Sequence, residues 1–414
     1  MLAQQAPRRG ARPPRASPRR VEKALKLRKE PTFKRRNGRQ IVSGHRDLPL
    51  DERLVVDLDA LLPAGGGAAE AGAGAGGPRE VDGVRLTWLD VRHEALGLDL
   101  RCWDAADPRR RAPARVWTLA GHEGLYVVRG ALAPPEQLDA AAQVLHELCD
   151  PPAVTNLHRE VGPLPPGLFE AAGAGAVLDL GRGGAGGVRW RPPRDGDPGA
   201  DPPPLPAREL LSRLRWTSIG PPFDWTRRQY LLGAPRREVP PGLAATAAEA
   251  YRACRAVGKA LGWGVGLPDD DPGFSPDAGL VNYYRAGDAL MAHRDDAEAD
   301  MRQPIVALSL GCPGVFVKGG LSRDDEGVAA VLVRSGDAVV LDGVARRAFH
   351  GVPRVLCERG CPELAGPGAG GERAAVAEYL QRVRVSVSLR RVGGAGGPGG
   401  ALAQAGGLTG SAGA

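Results

Sequence analysis

Leu280-Val281-Asn282-Tyr283-Tyr284, His293-Arg294-Asp295 and Arg346-Arg347-Ala348-Phe349-His350-Gly351-Val352-Pro353 lie in the stretch on which the fold turns. His293 and Asp295 are two positions apart, and His350 follows 55 residues after the aspartate. On an extended strand, residues i and i+2 project from one face, so both side chains can reach one small object. Two neutral imidazole nitrogens and one carboxylate are the donor set of the facial triad that holds non-haem Fe(II) and leaves coordination positions open. The run around His350 reads as a second strand that brings the third donor alongside.

Working outward, short runs recur at Leu280–Tyr284, Pro304–Leu310, Val315–Val317, Ala329–Val333, Asp337–Leu341, Arg347–His350 and Arg382–Arg391, separated by Gly and Asp turns. Strands at this spacing predict a jelly roll, or double-stranded β-helix, of two antiparallel sheets with the metal at its mouth. Upstream, Gly124–Arg129 reads as a strand. Leu138, Ala141, Ala142, Leu145 and Leu148 recur at helical spacing in Pro134–Cys149, and a second helix is expected near Ala245–Leu261. The expected class is therefore α+β, a jelly-roll core with flanking helices.

Four segments are low in complexity: Ala64–Gly77, Gly173–Gly187, Arg191–Pro206 and Gly393–Ala414. They carry too few large apolar side chains to offset the entropy of ordering and are expected to be disordered Gly/Ala/Pro-rich insertions and ends. The chain thus divides into a basic tail over 1–50, targeting or disordered, an N-terminal extension over 80–160 that packs on the core, a low-complexity insertion over 161–207, a domain over 208–392 that carries the candidate metal donors and a disordered tail over 393–414.

The chain has 414 residues and a formal net charge of +7, with much of the excess in its N-terminal tail. Six cysteines (102, 149, 254, 312, 357 and 361) are too scattered for a disulfide scaffold, which favours a reducing compartment. Cys357 and Cys361 lack the further ligands of a structural zinc site and read as loop residues. No run of 18 apolar residues occurs, so no membrane span is expected. Residues 1–21 hold six arginines and no acid, the composition of a mitochondrial or plastid transit peptide, while Phe33–Arg39 resembles a nuclear-type basic cluster. Nucleus, cytoplasm, mitochondrion and plastid all stay open, and a monomer is expected.

Taken alone, His293 also fits a solvated histidine among Arg294, Asp296 and Glu298, and His350 fits a packed core residue after Phe349. The surrounding segments separate these readings. Asn282-Tyr283-Tyr284 precedes His293-Arg294-Asp295; Ser309-Leu310-Gly311-Cys312-Pro313-Gly314-Val315-Phe316 and Gly319-Gly320-Leu321-Ser322-Arg323 follow; Ser335-Gly336-Asp337, Gly343-Val344-Ala345-Arg346 and His350-Gly351-Val352-Pro353-Arg354-Val355 come next, then Arg384 and Arg390. In this order the chain resembles the AlkB-type Fe(II)/2-oxoglutarate dioxygenases. It looks most like the branch of AlkB homologue one, on Leu214-Arg215-Trp216, Asp224-Trp225, the tract Gly124–Gly130 and Tyr379-Leu380. The similarity covers most of residues 115–160 and 208–392.

The resemblance implies that His293, Asp295 and His350 hold Fe(II), and that Arg384 pairs the distal carboxylate of 2-oxoglutarate. Asn282, Tyr284, Ser386 and Arg390 would complete the co-substrate pocket. Arg384 and Arg390 share a strand face but stand about 20 Å apart, so their side chains must converge to serve one ligand. Ser386 stands where many relatives carry Asn. Ala297 replaces an acidic substrate contact of the bacterial type, which the homologue-one branch also lacks.

The reaction implied is oxidative N-demethylation: O2 and 2-oxoglutarate give succinate and CO2, and the hydroxylated methyl leaves as formaldehyde. A methylated base of DNA or tRNA would have to leave its stack, so an aromatic platform is expected. Trp216, Phe223, Trp225 and Tyr230 are its candidates, with core packing the competing reading for Phe223 and Tyr230, and Arg323 is a candidate phosphate or base contact. Two other readings are a 2-oxoglutarate dioxygenase acting on protein side chains, as hydroxylase or histone demethylase, and a non-catalytic nucleic-acid-binding module.

Overall fold

A computed structural model of the chain describes residues 25, 29–36, 39–47, 50–61, 76–93, 96, 98–110, 113–180, 188–197, 203–271, 273–322, 325, 327–365 and 371–393. Its first strands, β1 (Lys29–Arg36) and β2 (Arg39–Asp47), pair as an antiparallel hairpin inside the stretch expected as a basic tail.

Next come β3 (Gly76–Val81), β4 (Val84–His93), β5 (Leu98–Ala106), β6 (Ala114–Leu119) and β7 (Leu125–Arg129), each antiparallel to its neighbour. Helix α1 (Pro134–His146) follows, with proline at its start and the Ala133 N–H donating to Glu136 Oε2 at 2.7 Å. The insertion expected over 161–207 is partly structured. It holds α2 (Leu168–Gly173) and a small sheet of β8 (Val177–Asp179), β9 (Arg189–Arg191) and β10 (Leu205–Pro206). Leu168, Phe169, Val177 and Leu178 are buried, so its few large apolar residues are concentrated where they secure the fold.

The remaining elements are α3 (Ala207–Arg213), β11 (Trp216–Ile219), the hairpin of β12 (Phe223–Asp224) and β13 (Gln229–Tyr230), α4 (Pro241–Leu261), β14 (Ala278–Tyr284), β15 (Leu290–His293), β16 (Ile305–Gly311), β17 (Gly314–Lys318), β18 (Ala329–Val333), β19 (Ala338–Leu341), β20 (His350–Val355), α5 (Glu372–Leu380) and β21 (Arg384–Arg390). They build two antiparallel sheets. The larger runs β11-β14-β21-β16-β19-β7-β6-β5-β4-β3 and the smaller β15-β20-β17-β18. From β14 to β21 the chain passes repeatedly between them. The N-terminal extension therefore does more than pack on the core: β3–β7 supply half of the large sheet's strands.

Alternation along three adjacent strands decides which face is core. Val281 and Tyr283 of β14, Val306, Leu308 and Leu310 of β16, and Val385, Val387 and Leu389 of β21 are buried on the helix side. There they meet Leu243, Ala247, Ala250, Tyr251, Cys254 and Val257 of α4. Repeated alanines let the helix approach closely, and Gly262 at φ 70° ends it. The intervening residues face the other way. Asn282 lies opposite Ser386, and Ser386 opposite Ser309, giving one polar row across three strands. Each fully buried aliphatic side chain contributes about 1.5–3 kcal/mol, so this helix-side layer fixes the register that points the polar row inward.

Gly311 has φ +78°, and a Cβ there would lie 2.2 Å from the Val383 carbonyl oxygen. Gly311→Ala combines left-handed backbone strain with that clash. It should cost at least about 2 kcal/mol in denaturant unfolding; a variant as stable as the parent would contradict this packing.

Candidate active site

His293, Asp295 and His350 place one donor atom each within 4.8 Å of one another and can hold a metal ion. The structure corrects the reason they converge. β15 ends at His293 and Asp295 lies in the following loop, so the pair does not share a strand face. His293 and His350 instead sit directly opposite each other in β15 and β20, with ring centroids 4.5 Å apart. His350 opens its strand rather than closing one, because Ala345–Arg347 form a single helical turn before it. His293 Nδ1 meets the Met291 carbonyl at 3.0 Å and His350 Nδ1 the Ala348 carbonyl at 3.2 Å. As donors to these carbonyls, both rings leave Nε2 for a metal. Nε2 of His293 and of His350 stand 3.7 and 3.8 Å from the two carboxylate oxygens of Asp295. Burial pushes His350 down to about 4, so its imidazole is neutral near pH 7.

Behind the triad lies a buried chain of charges. Arg390 Nη2 is 3.2 Å from Asp295 Oδ2, and its Nη1 donates to Glu298 Oε1 at 2.9 Å. Arg346 Nη2 donates to Glu298 Oε2 at 2.7 Å, its Nε to the Gln303 carbonyl at 3.0 Å and its Nη1 to the Asp295 carbonyl. Tyr230 O–H donates to Glu298 Oε1 at 3.0 Å. Burial alone would raise the Asp295 carboxyl, but Arg390, then His350, His293 and Arg346, outweigh it and hold the group well below the usual carboxylate range. Glu298 behaves likewise: burial raises it, and Arg390 and Arg346 bring it down. Arg390 is thus committed to Asp295 and Glu298 and does not converge with Arg384.

The opposite end of the cavity is cationic without a carboxylate partner. Arg384 donates to Ser309 Oγ at 2.8 Å and to the Val333 carbonyl at 3.3 Å. Its buried Nε has no partner, and among the described residues no ion pair to it is found. Gly314 makes room for it, since a Cβ there would lie 2.9 Å from Arg384 Cδ. Asn282, Tyr284, Ser309, Ser386, Arg384 and the three triad residues line one cavity of about 470 Å³. That donor set fits a divalent metal, and the unpaired guanidinium fits the carboxylate of a small dianion.

At the mouth, Trp216 and Trp225 lie 5.6 Å apart, Phe223 and Trp225 4.9 Å, and Phe223 and Tyr230 5.0 Å. Trp225 is 44% exposed, so a flat ligand can reach it. Phe223 and Tyr230 also line the cavity rather than the helix-side core. Arg323 lies outside the described residues.

Sequence reasoning missed Glu298, Arg346 and Phe316. Glu298 was read as one charge of a solvated loop, yet its side chain is only 1% exposed. Arg346 stood in a quoted motif without a role. Phe316 stacks on His350 at 6.0 Å and lines the same cavity.

Residues 186–390 match the 2OG-Fe(II) oxygenase superfamily. The DNA N(6)-methyladenine demethylase ALKBH1A of Arabidopsis thaliana is 32% identical over 290 residues, covering 67% of this chain and 77% of that protein. The nucleic acid dioxygenase ALKBH1 of Mus musculus is 32% identical over 202 residues, covering 45% of this chain and 48% of that protein. The tRNA demethylase abh1 of Schizosaccharomyces pombe is 31% identical over 154 residues, covering 37% of this chain and 46% of that protein. The chain thus spans about half of the length of the latter two.

Glu298→Gln keeps the shape but removes the charge between two buried guanidinium groups. Breaking such a pair costs about 3–5 kcal/mol. The variant should unfold at lower denaturant and bind Mn(II) more weakly than the parent; unchanged stability and Mn(II) affinity would contradict the network.

Proposed function

Because this chain belongs to the AlkB-type Fe(II)/2-oxoglutarate-dependent dioxygenases, we propose that it oxidatively demethylates N-methylated bases in DNA or tRNA. The observation that carries this reading is one cavity holding a His293–Asp295–His350 donor set, a buried Arg384 without a carboxylate partner among the described residues and a mouth of aromatic rings. The two sheets around it, between which β14–β21 alternate, are read as the double-stranded β-helix.

His293, Asp295 and His350 would ligate Fe(II), and Arg384 would pair the distal carboxylate of 2-oxoglutarate. Asn282, Tyr284 and Ser386 would border that co-substrate along the polar row. The chemistry supplied when these groups are bound is hydroxylation of a methyl carbon by O2, with 2-oxoglutarate converted to succinate and CO2.

The chain's own residues do the rest. Arg390 and Arg346 keep Asp295 ionised at depth. Phe316, Leu290 and Val352 line the cavity with the triad and would keep water from a bound metal. Trp216 and Trp225 would stack a base withdrawn from its helix and set its methyl toward the metal. A hydroxymethyl amine then releases formaldehyde and leaves the unmethylated base.

This placement favours a nucleic-acid client over a protein side chain, since four rings at one mouth match the flat face of a base. The relatives include a DNA N(6)-methyladenine demethylase and a tRNA demethylase, which supports both DNA and tRNA as clients.

His293→Ala and Asp295→Ala should each abolish succinate formation, and Arg384→Gln should raise the KM for 2-oxoglutarate about a hundredfold, the loss of one charge-assisted anchor. Full turnover in both triad variants would overturn the metal assignment. Trp225→Ala should weaken binding of single-stranded methylated oligonucleotide roughly tenfold, from stacking of about 1–3 kcal/mol, while leaving 2-oxoglutarate binding intact. Equal loss of both would point to collapse of the hairpin instead.

A further inference from the structure

Charge is divided unevenly along the chain. Residues 1–47 hold 15 of the 55 lysines and arginines and 3 of the 48 acids, so residues 48–414 carry a net charge of −5. A nucleic-acid duplex presents one negative charge about every 1.7 Å, and cations set against its phosphates supply essentially all of the non-specific affinity. At the rim of the cavity, Arg227 is 3.1 Å from Asp224, Arg228 is paired with Asp296, and Arg294 stands 3.9 Å from that same residue's carboxylate. The body that holds the candidate active site therefore lacks the charge excess that its proposed client calls for.

The β1–β2 hairpin carries part of the missing charge, and its register concentrates that charge at one end. At the open end each acid lies opposite a cation, Asp47 opposite Lys29 and Glu30 opposite Arg46. Toward the turn no acid occurs. Arg36 lies directly opposite Arg39, Arg35 opposite Gln40 and Lys34 opposite Ile41. Positions 34, 36 and 39 therefore share one face of the ribbon, and position 35 lies on the other. The sequence between the strands, Asn37-Gly38, suits a tight hairpin turn. Like charges directly opposite one another destabilise a ladder, so a polyanion at this end would stabilise it. Four cations and no acid over residues 34–39 make a site for one.

The ribbon is tied at both ends to the sheet that carries the two histidines. Before it, Leu25 is fully buried in a cluster with Val315, Val317, Leu332 and Leu356; after it, Val55 is buried in the same cluster, and Leu50 and Leu54 pack on it. Phe316 lines the cavity, so its neighbours Val315 and Val317 face away from it. Val56 then pairs with the edge of β18, its N–H donating to the Ala330 carbonyl at 2.8 Å and its carbonyl accepting from the Leu332 N–H at 2.9 Å. Both ends are thus held on the far side of the small sheet, whose β15 and β20 bear His293 and His350. At about 3.4 Å per residue, β1 spans roughly 27 Å. A two-stranded ribbon fits the major groove of a duplex, about 12 Å wide.

We propose that the β1–β2 ribbon is a nucleic-acid-binding arm, in which Lys34, Arg35, Arg36 and Arg39 meet the phosphates of a duplex flanking the reacting base. The arm supplies affinity that is independent of sequence, while the aromatic mouth takes the base. The choice of client rests on the proposed demethylation of DNA or tRNA; the charge and register of the ribbon do not.

The test titrates the full chain against an unmethylated DNA duplex and an unmethylated tRNA by fluorescence anisotropy over about 50–200 mM salt. Lys34→Gln, Arg35→Gln, Arg36→Gln and Arg39→Gln together should reduce the steepness of log K against log salt by about 3–4 and weaken binding at the lowest salt at least about tenfold, for the duplex, the tRNA or both; the one affected names the client. Arg35→Lys, Arg36→Lys and Arg39→Lys together keep the charge and should keep the slope, which separates loss of charge from loss of the hairpin. An unchanged slope in the Gln variant would overturn the arm. So would loss of the slope on replacing Arg8, Arg9, Arg12, Arg15, Arg19 and Arg20 by Gln instead, which would place binding ahead of the ribbon. Tighter binding of the parent to phosphatidylserine vesicles than to either nucleic acid at the same salt would overturn the client. Binding with the expected slope by a chain that demethylates no base would uphold the arm and count against the proposed activity.

Discussion

Asp295 is a carboxylate buried between two imidazoles, and burial by itself would favour its neutral acid. Arg390 prevents that from 3.2 Å, and Glu298 and Arg346 hold Arg390 and the loop in place. Each of these charges is costly to bury alone and tolerable only with the others present. The loop from Asp295 to Gln303, the start of β16 beyond it and the end of β21 are joined through this one chain of contacts. A carboxylate in the loop after a short strand would otherwise have no fixed position.

The same strand that supplies Arg390 supplies Arg384, and the division of labour between them follows from the pleat. Every second residue of β21 enters the helix-side core, and those between face the cavity. The two arginines lie six residues apart on the cavity face. One end pairs with protein carboxylates beside the triad, and the other holds a guanidinium that donates to Ser309 Oγ and the Val333 carbonyl and has no carboxylate partner among the described residues. The distance that argued against one shared ligand is what lets the strand set one arginine beside the triad and the other at the far end of the cavity. Ser386 and Ser388 occupy the interval on the cavity face, and Asn282 and Ser309 flank Ser386 in one row across the strands.

The strands of the metal-bearing half were legible because their apolar runs are short and bounded by Gly and Asp turns; β14, β16, β18, β19 and β21 fall within one or two residues of expectation. The triad was legible as residue types, yet the geometry behind it was not. Asp295 reaches the histidines through a loop, and His293 meets His350 by cross-strand pairing that no local spacing reveals. Glu298 looked like a solvated charge because its partners, Arg346 and Arg390, lie 48 and 92 residues away. Low complexity misled over 161–207, where Leu168, Phe169, Val177 and Leu178 suffice to anchor a helix and a small sheet. The aromatic mouth was legible as composition, and its use of the β12–β13 hairpin came only from three dimensions.

A metal donor set, an anion anchor and a stacking platform in one cavity make a single chemical claim: co-substrate oxidation is coupled to loss of a methyl group from a base. The measurement that tests it most directly incubates the protein with Fe(II), 2-oxoglutarate and methylated tRNA or DNA, then quantifies nucleosides, succinate and formaldehyde together by mass spectrometry. The account predicts that one N-methylated nucleoside disappears in step with succinate and formaldehyde, one for one. Succinate formed while every methylated nucleoside in both substrates stays constant would contradict it.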